Sequence, residues 1–461
     1  AAPSLVEQGF ATEKEVETIF AIGYHAFAVG KLLSVPLIAS VGTTNMALLQ
    51  IAAISACCAA LLTAARSASG QAVCWGALRV FTAMSSASML PFLSAWFPRA
   101  AYGRVWALLQ TGYQVGYLVA SFSFQRLALS PKGLHWKAPF TACAVGGFML
   151  FVICSLTLQE RPIARPADAS PSRLSANATS AVVPRAPSVA IGPLLSKLYR
   201  RRGAWLIIAT CAAYTPLLDY GVHVTRYLRD MRAAESATAA DAAAAAAASA
   251  PPPRAARGTA FSMFSSLAAS PRGERMSVCL TDRLCEGRYR SYVYAYVSAL
   301  LVGSVVYDRS SQLDKSIMVM LLYALNIACW AVLGMADYSS YIRSTAPGAV
   351  ERAAVRIASL LPALTSKTKT RLAAAAGATI AIPSSLPTAI FALDFGKEGA
   401  AVLSAILSGV GFGSSLAYLR LFPPLLAAYG WCGVHLSMAA LGVIAALAMG
   451  AVMFADYRKF S

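Results

Sequence analysis

Asp219, His223 and Arg226 stand at i, i+4 and i+7 in the stretch TPLLDYGVHVTRYLRD (215–230), where a very apolar run meets a cluster of charges. On an α-helix those offsets put all three on one face. A carboxylate inside such a run costs about 2.5–3.5 kcal/mol on membrane-insertion scales, so it needs a partner or a task. Two chemistries fit the trio: a closed structural cluster in which the charges pair with each other, or a proton- or cation-linked site. Lys31 poses the same question in the run 16–41. Phe27 lies four residues before it and Tyr24 seven, on the same helical face. Lys31 either lines an internal cavity or is a snorkelling or structurally paired lysine. His25, about a third of a turn away from that face, suits packing or a gate. Gln110, Tyr113, Gln114, Tyr117 and Ser121 fall at i, i+3, i+4, i+7 and i+11, a continuous polar stripe. Membrane helices turn such stripes toward a water-filled cavity or toward hydrogen-bonding partners on neighbouring helices. Arg79 is a further charge inside an apolar run, 71–97, that offers no carboxylate, so its partner must come from another helix.

Other chemistries are missing. No catalytic triad, phosphate loop or zinc spacing occurs, which predicts neither an enzyme nor a cofactor. Cys57, Cys58, Cys74, Cys143, Cys154 and Cys211 lie in apolar runs and read as packing residues. Cys279 and Cys285 share a hydrophilic loop and could pair in an oxidising compartment. Asn177 begins a glycosylation sequon, ANAT, inside a linker where it is expected to go unused. The glycines of GVGFG (409–413) suit close helix packing rather than phosphate.

The elements that must position these residues follow from composition. The 461 residues are 57% hydrophobic and only 13% charged, with a mean hydropathy of +0.59. That predicts an all-α, multi-pass integral membrane protein whose partner is the bilayer. The formal charge of +19 sits largely between the apolar runs, as expected for headgroup-facing loops, and gives no support to nucleic-acid binding. Eleven runs are long enough to cross a bilayer: 16–41, 46–65, 71–97, 105–128, 137–158, 203–222, 290–307, 316–336, 372–393, 400–425 and 432–455. Five precede a basic linker, 160–202, and six follow it. This divides the chain into a first half, 1–159, and a second half, 203–461, the latter broken by insertions at 229–289 and 337–370. The first insertion holds an alanine run and PPPRAARG and is expected to be disordered. Val350 to Leu364 in the second has helical spacing, consistent with an interfacial amphipathic helix or an ordinary loop helix. The chain begins with Ala1 and a polar stretch, as if inside a longer protein.

Several local patterns, taken in order, resemble the major facilitator superfamily, and within it the organophosphate:phosphate antiporters, the group of the glycerol-3-phosphate transporter and the sugar-phosphate exchangers. These are AFAVGKLLSVPLIASVG (26–42), WGALRVFTAMSSASMLPFLSAWFPRAAYGRVWALLQTGYQVG (75–116), LHWKAPF (134–140), LLDYGV (217–222), LLVGSVVYDR (300–309), DFGKEGAAVLSAILSGVGFGSS (394–415) and YGWCGVH (429–435). The resemblance implies two six-helix halves around a central site worked by alternating access, with the family's first helix absent from this chain. It also implies cytoplasmic termini and a cytoplasmic 160–202 linker. Lys31 then matches a cavity lysine that helps hold phosphate, and Arg79 the superfamily's fourth-helix arginine. Asp308 and Arg309 match the D-R turn that latches helices together.

The departures matter as much. Asp219 stands where those antiporters place a phosphate-clamping arginine, and Tyr113 where they have a histidine. Ala39 and Ser40 replace the usual Asp and Arg of the first latch. The expected function is secondary active transport of a small organic solute. The resemblance favours organophosphate exchange coupled to phosphate. The acidic Asp219 favours a proton-coupled transporter of a neutral or cationic solute, and the altered latch leaves room for a non-transporting sensor or scaffold.

Overall fold

In the computed structural model the described residues are 12–63, 67–98, 101–128, 137–158, 196, 199–249, 271–345, 364–396 and 400–460. Most of the 160–202 linker with Asn177, the stretch 250–270 and the amphipathic segment 350–363 lie outside them, as do the side chains of Tyr117, Ser121, Cys279 and Cys285. All regular structure among the described residues is helical: α1 (Glu13–Val41), α2 (Thr43–Thr63), α3 (Ala68–Ala83), α4 (Ser85–Trp96), α5 (Tyr102–Ala128), α6 (Lys137–Thr157), α7 (Arg202–Ser249), α8 (Pro271–Arg309), α9 (Gln312–Thr345), α10 (Ser366–Gly396) and α11 (Ala400–Phe460).

Local chemistry sets the boundaries. Thr12 and Glu15 form a capping box at the start of α1: the Thr12 N–H donates to Glu15 Oε2 at 2.7 Å, and the Thr12 hydroxyl accepts from the Glu15 N–H at 3.3 Å. The Thr12 backbone and hydroxyl bonds hold the Glu15 carboxyl below the usual carboxylate range. Gly42, at φ 84°, ends α1 and lets the chain reverse into α2. The run 71–97 is broken at Met84, where Thr82, Ser85 and Ser88 hydroxyls bond carbonyls three or four residues back and compete with the helical ladder. Gly430, at φ 59° and ψ −159°, divides α11. The apolar part of that element is 55 residues long, about 80 Å of helix, so it makes two crossings rather than one.

Among the described residues, seven helical stretches are long and apolar enough to cross a membrane by length and composition. The helices α5, α7 and α8 are not among them, because polar and charged residues dilute their apolar runs. The expectation of disorder after the 203–222 run is corrected by the structure. Residues 229–249 continue α7, and 271–289 begin α8, as helix. Alanine has the highest helix propensity of any residue, and the alanine run sits on a helix already nucleated by a packed segment.

The helices pack as two bundles. In the first, α1 lies on α3 and α2 on α6; in the second, α11 lies on α7 and α9, and α8 and α9 on α10. Gly30 brings α1 so close to α3 that a Cβ there would run into the Val80 backbone. The bundles meet through α1 with α11, α5 with α8, and α4 with α11. The outer face of α6 leaves Phe148, Met149, Ile153 and Leu156 exposed, a surface that suits lipid and not water. The chain is a multi-pass integral membrane protein.

Candidate substrate cavity between the two bundles

A cavity of about 560 Å³ lies between the bundles, within the 300–1,000 Å³ typical of small-molecule sites. The first bundle contributes Phe27 and Lys31 from α1, Ser85 and Met89 from α4, and Trp106, Gln110, Tyr113 and Gln114 from α5. The second contributes Tyr214, Thr215 and Asp219 from α7, Tyr292 and Tyr296 from α8, Ser384, Ser385 and Thr388 from α10, and Ser404, Ser408 and Phe412 from α11. Leu109, Leu218, Val293, Ala389 and Leu407 complete the wall, so aliphatic side chains and rings alternate with hydroxyls, two amides, Lys31 and Asp219.

Many of the hydroxyls are fixed in place. Thr388 donates to the Ser384 carbonyl at 2.9 Å and Thr215 to the Cys211 carbonyl at 2.6 Å. The Tyr214 hydroxyl reaches Thr388 Oγ1 at 3.5 Å, and Tyr296 meets Ser385 at 3.3 Å. Lys31 is 4% exposed, and its Nζ stands 5.3 Å from the Phe27 ring centre and 5.8 Å from that of Phe412. Those rings, one from each bundle, meet edge to face at 4.4 Å. Lys31 therefore sits where the bundles touch, held by cation–π contacts.

Asp219 faces the cavity from the second bundle. Its Oδ2 is buried and has no hydrogen-bond partner among the described residues, and the same holds for the hydroxyl oxygen of Ser415 nearby. The opposing charge that acts on it is Arg79, from the first bundle. The Arg79 guanidinium lies 4.5 Å from the Phe27 ring centre and 5.8 Å from that of Tyr24. Tyr24 therefore supports Arg79 and is not among the cavity-lining residues.

The trio 219, 223 and 226 is split, with His223 and Arg226 sharing one ring and Asp219 apart from them. His223 stacks on Phe422 at 4.1 Å, and Arg226 is exposed with its guanidinium 5.9 Å from the same ring. Arg226 is not the partner of Asp219. Gln110, Tyr113 and Gln114 line the cavity together, Tyr113 at its exposed edge.

Two further contacts join the bundles. At the end marked by Gly42, the Asp308 carboxylate accepts from the Arg104 backbone N–H at 2.9 Å and from Arg104 Nε at 3.3 Å. Ile38, Met46 and Met84 pack there against Ala401 and Ala405. Arg309, beside Asp308, is exposed. Toward the Gly430 end, His25 Nδ1 donates to the Ala21 carbonyl at 2.7 Å, so its Nε2 accepts from the Arg420 guanidinium at 3.0 Å. Sequence reasoning missed Arg104 and Arg420, whose partners lie on the other bundle. It also missed Tyr292 and Tyr296 on α8 and the hydroxyls of α10. The i, i+4 repeat in YVYAYV (292–297) and the polar break in IPSSLPT (382–388) were the available signals.

Two bundles of membrane-crossing helices around a cavity with polar groups at their interface are the architecture of a membrane transporter. A sequence profile described as Major Facilitator Superfamily matches residues 1–251, more than half of the chain, and the chain belongs to that family. Its members are transporters, not enzymes. Similar solved structures include FucP, a superfamily transporter in its outward conformation, at 12% identity and a TM-score of 0.56, covering 95% of this chain and 89% of that one. The proton:xylose symporter XylE, bound to 6-bromo-6-deoxy-D-glucose, is similar at 10% identity and a TM-score of 0.53, covering 97% and 89%. The human organic anion transporter MFSD10 is similar at 12% identity and a TM-score of 0.51, covering 97% and 87%. No curated protein sequence matches the chain.

Proposed function

We propose that this protein is a proton-coupled secondary transporter of a small, hydroxyl-bearing organic solute, with Asp219 as the group that carries the proton. The observation behind this reading is the Asp219 carboxylate, on the cavity wall with one oxygen buried and lacking a hydrogen-bond partner among the described residues. A permanently ionised carboxylate in that place would leave an expensive orphan acceptor, whereas a protonated acid replaces the charge with a neutral donor. Arg79 lies on the opposite bundle, so protonating Asp219 weakens an attraction that holds the bundles in one arrangement. The fixed hydroxyls, the Gln110 and Gln114 amides and the aromatic faces suit a solute rich in hydroxyl groups. FucP and XylE, as fucose:proton and proton:xylose symporters, are in keeping with that class.

The second reading is exchange of a phosphorylated solute against phosphate, which Lys31 in the cavity wall favours. Reconstituted vesicles separate the two. Under the proton-coupled reading, an acid-outside gradient drives uptake from a panel of monosaccharides, polyols and sugar acids. Asp219→Asn abolishes that uptake while leaving solute counterflow intact. Uptake of glycerol phosphate driven by preloaded phosphate, indifferent to the gradient and lost in Lys31→Gln, would select the second reading. The division into halves at 160–202 belongs to the same proposal. It makes the cavity a site between two units that rock about it.

A further inference from the structure

His25 is bonded in a way that only one protonation state allows. Its Nδ1 lies 2.7 Å from the Ala21 carbonyl, an oxygen that can only accept, so Nδ1 carries the ring proton. Its Nε2 lies 3.0 Å from the Arg420 guanidinium, which can only donate, so Nε2 carries the lone pair. The imidazole in this contact is therefore neutral. A second proton on the ring has to go to Nε2, where it removes the acceptor and sets an imidazolium against a guanidinium.

Among the described residues no nearby carboxylate offsets that repulsion. The helices packed on α1 are α2, α3, α4 and α11. From α2 come only Cys57 and Cys58, and from α4 no titratable group. From α3 come Cys74 and a further cation, Arg79, which rests on the Tyr24 and Phe27 rings to either side of His25 in sequence. From α11 comes Arg420 itself; the nearby Tyr418 is bonded to Ser437, and the one carboxylate of α11, Asp456, lies at its far end. On α1 the next cation is Lys31, and the carboxylates Glu13, Glu15 and Glu17 fall two turns or more before His25. The buried His435 has the opposite setting within the second bundle, with Nδ1 on the Asp337 carboxylate at 2.8 Å and Nε2 on the Tyr220 hydroxyl at 2.6 Å.

His25 belongs to the first bundle and Arg420 to the second, and both side chains are exposed. An arginine within an apolar helix faces a water-filled space rather than lipid, so protons from the compartment at that end reach the ring. We infer that the His25–Arg420 bond is a pH-sensitive latch, which holds the bundles together at the Gly430 end while His25 is neutral and lets them part there once His25 is protonated. The sign follows from the bond. Imidazoles change charge between about pH 5 and 8; at the upper end of that range the ring accepts and the latch is made, and toward the lower end it is lost. Acid in the compartment at the Gly430 end therefore opens the cavity toward the acid. The latch goes beyond the proton-coupled reading, since it governs which end opens and does not need Asp219 to carry the coupling proton.

Spin labels at Ser69 and Ala427, both exposed, read the opening in a cysteine-depleted background. Ala427 stands just before Gly430, and Ser69 follows α2, whose 21 residues carry the chain about 30 Å from the Gly42 end. Protonating Asp219 also weakens an attraction between the bundles, so the labels are read in Asp219→Asn. Acidification from about pH 8 to about pH 5 should raise the ratio of longer to shorter distances about 3–10-fold, as for the loss of one hydrogen bond of ordinary strength. Adding His25→Gln, whose amide oxygen still accepts from Arg420 but takes no proton, should hold the ratio at its high-pH value throughout. Adding Arg420→Gln, which can bond either form of His25, should do the same from the other bundle. The same factor should separate wild type from His25→Gln in acid, so the test stands even where Asp219→Asn does not fold. No acid response in Asp219→Asn overturns the latch and leaves the proton-coupled reading standing, and a response that survives His25→Gln overturns it too. A response that follows His25, in a protein whose solute uptake ignores a proton gradient, keeps the latch and sinks the functional reading.

Discussion

Asp308→Asn should release the contact that pins the bundles together at the Gly42 end. The Asp308 side chain is 7% exposed and meets the N-terminus of α5 through the Arg104 backbone N–H at 2.9 Å. A hydrogen bond to a charged group contributes about 1.5–3 kcal/mol, and a partly buried carboxylate at a helix N-terminus up to about 2 kcal/mol, the two overlapping here. The side-chain bridge adds little, because Arg104 is 49% exposed and exposed pairs give about 0–1 kcal/mol. Asparagine keeps an acceptor and loses the charge, so a loss of about 1–2 kcal/mol is expected, a shift of about 5–30-fold in the open-to-closed ratio at that end. Spin labels at Pro98 and Arg309, both exposed there, read the separation in a cysteine-depleted background. The longer-distance population should grow in Asp308→Asn and in Gly103→Ala, since a Cβ on Gly103 would fall on the Asp308 carboxylate. Arg104→Gln should leave the distribution near wild type. If Arg104→Gln opens that end as far as Asp308→Asn does, the side-chain bridge and not the helix terminus is the clamp, and the reasoning is wrong.

Two further outcomes follow from the packing. In a double-mutant cycle of Arg79→Gln and Asp219→Asn, thermal unfolding in detergent should show coupling of about 0.5–3 kcal/mol, because each single change strands the other charge; additive effects would mean that the two do not act on each other. Gly30→Val should destabilise by about 1–3 kcal/mol through overpacking, since any Cβ there meets the Val80 backbone, which cannot move as a side-chain tip can. A melting temperature equal to wild type would show that α1 and α3 have room to separate.

The spans were legible because a bilayer demands long apolar runs, and the Gln110 stripe because a polar helix face in lipid has few other uses. Relations between spans were not. Asp219, His223 and Arg226 do share a helix face, but seven residues extend about 10 Å along the axis, so the two ends of the trio meet different neighbours. Asp219 meets the charge of Arg79, and the other two meet Phe422. Asp337 and His435 are 98 positions apart in the chain, and no spacing rule joins residues that only tertiary packing brings together. The alanine run misled for a separate reason: low hydrophobicity argues against a packed core, yet a helix already started needs only propensity to continue.

The charges around the cavity also narrow the solute. Under the proton-coupled reading proposed above, and with Lys31 and Arg79 both protonated, two cations on the first bundle stand opposite Asp219 on the second. The site would then keep one positive charge in excess with Asp219 ionised and two with Asp219 protonated. A cationic solute would then meet its strongest repulsion in the proton-loaded state, the state a symporter must fill with solute, and in a poorly solvated site that repulsion is large. A neutral or singly anionic solute meets no such barrier, and an anion is favoured more once the proton is on. Proton loading and solute loading support each other only for those two classes, so sugar acids should outcompete amino sugars for gradient-driven uptake. The reverse order of competition would mean that Lys31 or Arg79 carries no charge in the loaded site.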